Sequence, residues 1–315
     1  MPHTNRKASR ALFFALLGAV LLPVAWLHAQ RAPEGPLVFR VPASARAAAI
    51  GNVGISLTDG DALFYNPAQV LVQRGLAASV QRYGAGAVAG SMGTATTVGP
   101  LTLGVGVQHL RFHAASDASY GAVVEPGATH LADGGAAPGV STAFTMAAAK
   151  TVKDVRLGAA LTYAEEQVGA TVDGTVAMDV GVSKTFRGIT YGAVVHHLGA
   201  GLHMRGVSAV LPTTLTLGAG IQQAIAPAWD LGGQAALQVG RDGVPRPAGG
   251  VEVSYVPIDG VSVVWRAGVR MPREQDALPV TGGMGLMIDH VLIDYALEPM
   301  RAGRPVAHRI GIRLR

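Results

Sequence analysis

From residue 75 onward, apolar and small or polar positions alternate with a period of two. In LTLGVGVQ (101–108), Leu101, Leu103, Val105 and Val107 share one face, and Thr102, Gly104, Gly106 and Gln108 the other. TVAMDVGVSK (175–184) sets Val176, Met178, Val180 and Val182 against Ala177, Asp179, Gly181 and Ser183. The segments 214–222, 229–240, 261–270, 290–298 and 309–315 follow the same rule. Strict alternation predicts β-strands with one oily and one polar or tiny face. Read this way, strands fall near 76–82, 86–97, 101–113, 140–152, 155–167, 174–186, 188–199, 212–224, 229–240, 246–257, 260–270, 279–289, 290–298 and 306–315.

The oily face decides between two all-β architectures. A soluble sandwich turns it to a core and covers its outer face with charged and polar residues. Here the second face is Gly, Ala, Ser, Thr and Gln, and Lys occurs only at positions 7, 150, 153 and 184. That pattern predicts a closed transmembrane antiparallel barrel of about fourteen strands, with oily faces toward lipid and every backbone group paired in the wall. The connections support it. Those after even-numbered strands are tight (VGP, KD, RG, IAPA, ID and the DH step). Those after odd-numbered strands are longer from the third onward: 114–139, VGATVD, AGLHMRGVSAVL, DGVPR, MPREQDAL and EPMRAGR. The first hairpin, near Tyr83 and Gly84, is short although it belongs to the long-loop end. Trp229, Trp265, Tyr255 and Tyr295 are candidates for an interfacial aromatic girdle.

Composition sharpens this picture. Gly occurs 42 times, about twice the usual share, and is spread through the strands. There is no Cys, so disulfides and thiolate metal sites are excluded. Residues 1–29 read as a cleaved export signal: Arg6, Lys7 and Arg10, the apolar run 13–27, then a small-residue site before Gln30. Its loss lowers the formal charge from +5 to +2, so nucleic acid is not an expected partner.

Enzyme chemistry finds little footing. AGSMG (89–93) lies inside a strand, and GVSKT lacks the glycine spacing of a phosphate loop. No catalytic residue and no cofactor is expected. His109 and His113 lie close in sequence, as do His196, His197 and His203. Neighbours on a strand point to opposite faces, so His196 and His197 are not expected to share an ion, and no metal is assigned. The inward face carries Asp179, Glu252, Arg266, Asp294, Glu298, Arg309 and Arg313. Charges facing lipid are costly, so these are expected to pair across the lumen, either as neutralised wall charges or as a selective path.

One stretch does not alternate. ASARAAAIGNVGISLTDGDALFYNPAQV (43–70) is too apolar for a surface loop and too broken for a strand. Pro67 restricts Asn66 to extended backbone, and the Asn66 side chain can close a local turn. Phe64 and Tyr65 supply bulk. The simple reading is a turn leading into the first strand; the richer one is a plug inside the barrel. Residues 45–70 resemble the N-terminal signature of the FadL-type outer-membrane superfamily, above all its PorV/PorQ-like branch. The resemblance rests on Asp59, Asp61 and the Asn66-Pro67-Ala68 element. Gly51 and Gly54 stand where small residues are usual, and Asn52 and Gln69 stand where Gly is common. It implies a signal peptide (1–29), a plug or hatch (30–75) holding Asp59, Asp61, Phe64, Tyr65, Asn66, Pro67 and Ala68, and an outer-membrane barrel (76–315). It further implies a non-enzymatic accessory of type IX protein secretion, with outer-membrane lipid, a translocon and cargo proteins as partners. The alternative it implies is a FadL-like transporter of hydrophobic small molecules.

Overall fold

A computed structural model describes residues 33–72, 75–83, 86–114, 137–204, 207–272, 278–300 and 306–314. The expected signal peptide and the centre of the longest loop lie outside the described residues. Among the described residues, sixteen strands follow the N-terminal segment: β1 Leu76–Arg82, β2 Val88–Val98, β3 Leu101–Ala114, β4 Ala137–Val152, β5 Val155–Val168, β6 Thr171–Phe186, β7 Ile189–Gly199, β8 Leu202–Met204, β9 Val207–Ala209, β10 Thr214–Ala226, β11 Trp229–Gly240, β12 Pro245–Ile258, β13 Val261–Arg270, β14 Val280–Ile288, β15 Val291–Glu298 and β16 Ala307–Leu314. Fourteen of them form one closed antiparallel barrel, and β8 and β9 make a separate hairpin between β7 and β10. Closure is made by β1 against β16, from Leu76 opposite Leu314 to Arg82 opposite His308. The fourteen barrel strands are those the alternation predicts, with ends shifted by a few residues.

The faces are sorted as lipid requires. Val80, Met146, Leu161 and Ile310 are more than half exposed, while Arg309, Asp294, Arg313 and Glu252 are buried. A soluble protein has the opposite distribution.

One end of the barrel is closed by six two-residue turns, after β2, β4, β6, β10, β12 and β14. Such turns match strand twist when their residues take positive φ. Lys153 and Asp154 do so, as do Arg187 and Gly188. The other end carries the longer connections, with one correction. VGATVD is not a long loop: β5 and β6 extend to a two-residue turn at Gly169–Ala170, with Val168 opposite Thr171. The connection from 200 to 213 holds the β8–β9 hairpin, and Leu202, Met204 and Leu211 are buried there. Trp229, Tyr255 and Trp265 form one patch near the short-turn end, with ring centroids 4.8 and 6.4 Å apart, rather than a girdle. Tyr295 lies elsewhere on the wall and hydrogen-bonds His308 Nδ1 at 2.6 Å.

Candidate functional site: a filled lumen and a thin wall

The N-terminal segment runs inside the barrel from the long-loop end to the short-turn end. At its start it pairs with the excursion after β9: the Gly35 N–H donates to Val210 O at 3.0 Å, and the Val210 N–H to Pro33 O at 2.8 Å. The 3₁₀ turn Leu37–Arg40 follows, with the Leu37 N–H held by Glu166 Oε2 at 2.6 Å and the Val38 N–H by Ser141 Oγ at 3.3 Å. Next comes α1, Ala45–Ala49, whose N-cap Ser44 accepts the Ala47 N–H at 3.2 Å. It ends through Gly51 (φ +78°) and Asn52 (φ +58°). Asn is the non-glycine residue best suited to that left-handed conformation, so the departure from Gly at 52 keeps the turn.

The signature residues form a brace. The Tyr65 hydroxyl accepts the Ala43 and Ser44 N–H groups at 3.1 and 3.2 Å and donates to Asn52 Oδ1 at 2.9 Å. Burial pushes its ionisation up, which keeps the proton for that last bond. Its ring lies over Gly54, where a β-carbon would sit 2.2 Å from Tyr65 Cγ. Asn66 Nδ2 donates to Ile55 O at 3.0 Å, and its Oδ1 accepts the Ala68 N–H at 3.1 Å. Pro67 and Ala68 rest on Gly158, where a β-carbon would come within 2.3 Å of Pro67. Phe64 reaches the wall at Gly93 and Gly106.

The inward charges pair along the wall and with the N-terminal segment rather than straight across the lumen. Six groups close an alternating ring: Arg46–Glu252 (2.6 Å), Glu252–Arg266 (2.7 Å), Arg266–Asp294 (2.6 Å), Asp294–Arg313 (2.6 Å), Arg313–Asp59 (2.5 Å) and Asp59–Arg46 (2.6 Å). Three cations and three carboxylates cancel. Arg266 on β13 reaches Asp294 on β15 over Gly285 of β14, where a β-carbon would lie 2.9 Å from Asp294 Oδ1. Burial alone would raise the Asp59 carboxyl, but Arg313 and Arg46 outweigh it and hold it well below the usual range. For Asp61 the balance is reversed: burial first, then the Asp59 charge, outweigh the Ser44 hydrogen bond and the Arg313 charge and push it up to about 6.

Arg309 stays outside the ring. It donates to Ser79 Oγ (2.9 Å), Ser91 Oγ (2.9 Å), Gln81 Oε1 (2.9 Å) and Pro42 O (2.5 Å). Gln81 links it to Glu298 at 2.9 Å, which pairs with Arg270 at 2.5 Å. Arg46 and Glu166 were not singled out from sequence. Arg46 had a signal, a lone charge in an alanine-rich run.

Asp179 meets both histidines, against expectation. Met178 pairs with Leu198 and Val180 with Val195, so His196 and His197 together oppose Asp179 across a β-bulge. His197 takes φ +53°. The bulge cancels the alternation on which their separation depended. His109 is exposed on the outer face beside Thr142, and the backbone N–H of His203 bonds Asp173.

Two spaces flank the filled lumen. A cavity of about 150 Å³ is bordered by Phe39, Arg40, Tyr65, His196, His197 and Arg270. On the outer wall an apolar bay of about 680 Å³ spans β10 to β14, bordered by Ala219, Ala235, Gly249, Val251, Ala267 and Val269. The inner face behind it is also small. At Gly250 and Gly268 a β-carbon would come within 2.5 and 2.1 Å of Ile50 and Gly51 of the N-terminal segment. The stretch 246–250 does not open a gap: β12 pairs without interruption with β11 there, and with β13 from Ala248 onward.

These features define a class, closed fourteen-stranded barrels filled by their own leading segment and oily on the outside. Several solved structures are similar to this chain. They include the Ralstonia pickettii toluene transporter TbuX (TM-score 0.58, 13% identity, 88% of this chain and 99% of that one). The CymD monoaromatic hydrocarbon channel is another (TM-score 0.59, 9% identity, 86% and 97%), and the Pseudomonas putida toluene transporter TodX a third (TM-score 0.54, 12% identity, 90% and 97%). A Pseudomonas aeruginosa FadL homologue is also similar (TM-score 0.50, 9% identity, 90% and 98%). At these identities the likeness is one of fold. It gives no support to the PorV/PorQ branch. No family model matches the sequence, and no curated protein does.

Proposed function

We propose that this protein lies in the outer membrane and passes hydrophobic small molecules, with its short-turn end toward the periplasm and residues 33–72 acting as a plug. The observation that carries the reading is the thin sector of wall. An apolar bay on the lipid side is separated from the plug's Ile50–Asn52 turn only by small side chains and backbone. A molecule dissolved in either compartment would find few side chains to displace there, provided the plug moves. The fold-level likeness to hydrocarbon channels supports the same reading. The type IX secretion role has no comparable support and becomes an outcome of the test.

The cysteine-free chain makes that test direct. Ala45→Cys with Gly311→Cys places two β-carbons about 3.0 Å apart, a few tenths short of the ~3.5–4.5 Å of a disulfide. Oxidation should tie the plug to β16. Toluene uptake into cells carrying this variant should fall at least about tenfold on oxidation and return on reduction. Uptake indifferent to the bond would sink the transport reading. Lost surface display of exported proteins, with uptake unchanged, would favour secretion instead.

A further inference from the structure

We propose that Asp179, His196 and His197 form a binding site for one divalent transition-metal ion on the lumen side of the wall. Their possible ligand atoms all lie within 4.8 Å of one another. Asp179 Oδ2 and His196 Nδ1 are 3.2 Å apart, close to the roughly 3.3 Å edge of a tetrahedral zinc shell with bonds of about 2.0–2.1 Å. The three side chains offer only nitrogen and oxygen donors, and two imidazoles with a carboxylate suit zinc, cobalt or nickel.

The surroundings are built to hold these groups. The bulge places two consecutive histidines opposite one aspartate, at the cost of a left-handed backbone at His197. That conformation is held from three sides. The His197 N–H donates to Asp179 Oδ1 at 2.7 Å, Thr213 Oγ1 donates to His197 O at 2.8 Å, and Phe39 stacks on the His197 ring at 4.1 Å. His197 Nδ1 lies 3.3 Å from Pro212 O. A proton on Nδ1 shared with that carbonyl leaves Nε2 as the donor atom, the usual outer-shell arrangement of a ligating histidine. The remaining coordination position opens on the 150 Å³ cavity that both histidines border, and a water there completes a four-coordinate shell. Of the cations on that cavity, Arg246 is paired with Asp242 and Arg270 with Glu298.

The test uses the full chain, purified in detergent, stripped with a chelator and titrated with Zn²⁺ against an indicator. One equivalent should bind with a dissociation constant in the micromolar range or below. His196→Gln and Asp179→Asn should each weaken binding at least tenfold while the barrel keeps its heat-modifiable mobility, and the outward-facing His109→Gln should change nothing. Absence of stoichiometric uptake, or uptake indifferent to both lumen substitutions, overturns the proposal. Should the variants fail to fold, Co²⁺ bound to the unaltered chain decides. Strong visible bands of a four-coordinate ion are expected, and a pale six-coordinate spectrum overturns it.

Discussion

Two sectors of the same wall are built differently. From β3 to β6 the outer face is bulky: Phe144, Met146, Leu161, Tyr163 and Val176 stand well out into the lipid-facing belt. From β10 to β14 large side chains such as Ile225, Trp265 and Met284 also stand out, but between them a bay is floored by Ala219, Gly233, Ala235, Gly249 and Ala267. The inner faces do not differ in this way. Gly158 and Gly181 admit Pro67 on one side much as Gly250 and Gly268 admit Ile50 and Gly51 on the other. A filled lumen therefore demands small inner residues in both sectors, and only the outer face is free to vary. Where it too is small, the wall thins to little more than backbone. The plug is also held beside that sector, since four of the six ring charges sit on the neighbouring run of wall, on β12, β13, β15 and β16.

The largest expected effect comes from breaking that hold. Asp294→Ala leaves Arg266 and Arg313 each short of a carboxylate in a buried site, which costs about 3–5 kcal/mol. Urea unfolding followed by gel mobility should show it, and a loss below ~1 kcal/mol would mean that the ring does not anchor the plug.

Protonation of Asp61 comes next. Burial and the neighbouring Asp59 charge push its carboxyl up to about 6 from an ordinary value of 3.8. Its contribution is therefore fully present below about pH 4 and is lost as the pH rises through about 6. The difference is about 3 kcal/mol. The stability profile of the unaltered chain should carry this fall between pH 4 and 6, and Asp61→Asn should flatten it.

Smaller still is the contrast between inner and outer glycines. A β-carbon at Gly268 would sit 2.1 Å from the Gly51 nitrogen, whereas at Gly282 the nearest atom is 3.7 Å away. Gly268→Ala should cost about 1–3 kcal/mol, and Gly282→Ala less than about 0.5 kcal/mol. Equal costs would remove the distinction between plug-facing and lipid-facing positions. The smallest effect on stability is expected for Ala267→Leu, within ~0.5 kcal/mol. It fills the bay without touching the plug, so toluene uptake should drop several-fold while unfolding is unchanged.

How much was legible in the sequence depended on the range of the interaction. Alternation identified the fourteen barrel strands, and the tight turns at KD, RG and ID were visible because turn chemistry is local. The outward face could be assigned because lipid forbids the charges that the other face carries. The brace around Asn66 and Tyr65 was visible only as a cluster of unusual residues. Its partners at Ala43, Asn52 and Ile55 required the fold.

The sequence by itself determined the strands, their faces and the segment that would not alternate, since each follows from neighbours a few residues apart. The tertiary structure decided how β1 meets β16, which charges close the ring and which glycines face the plug. It also decided that a one-residue slip at Asp179 brings two histidines to the same carboxylate. These depend on register between strands, and register is fixed only when the whole cylinder closes around its filling. Arg46 and Glu252 are 206 residues apart, and no periodicity in the chain connects them.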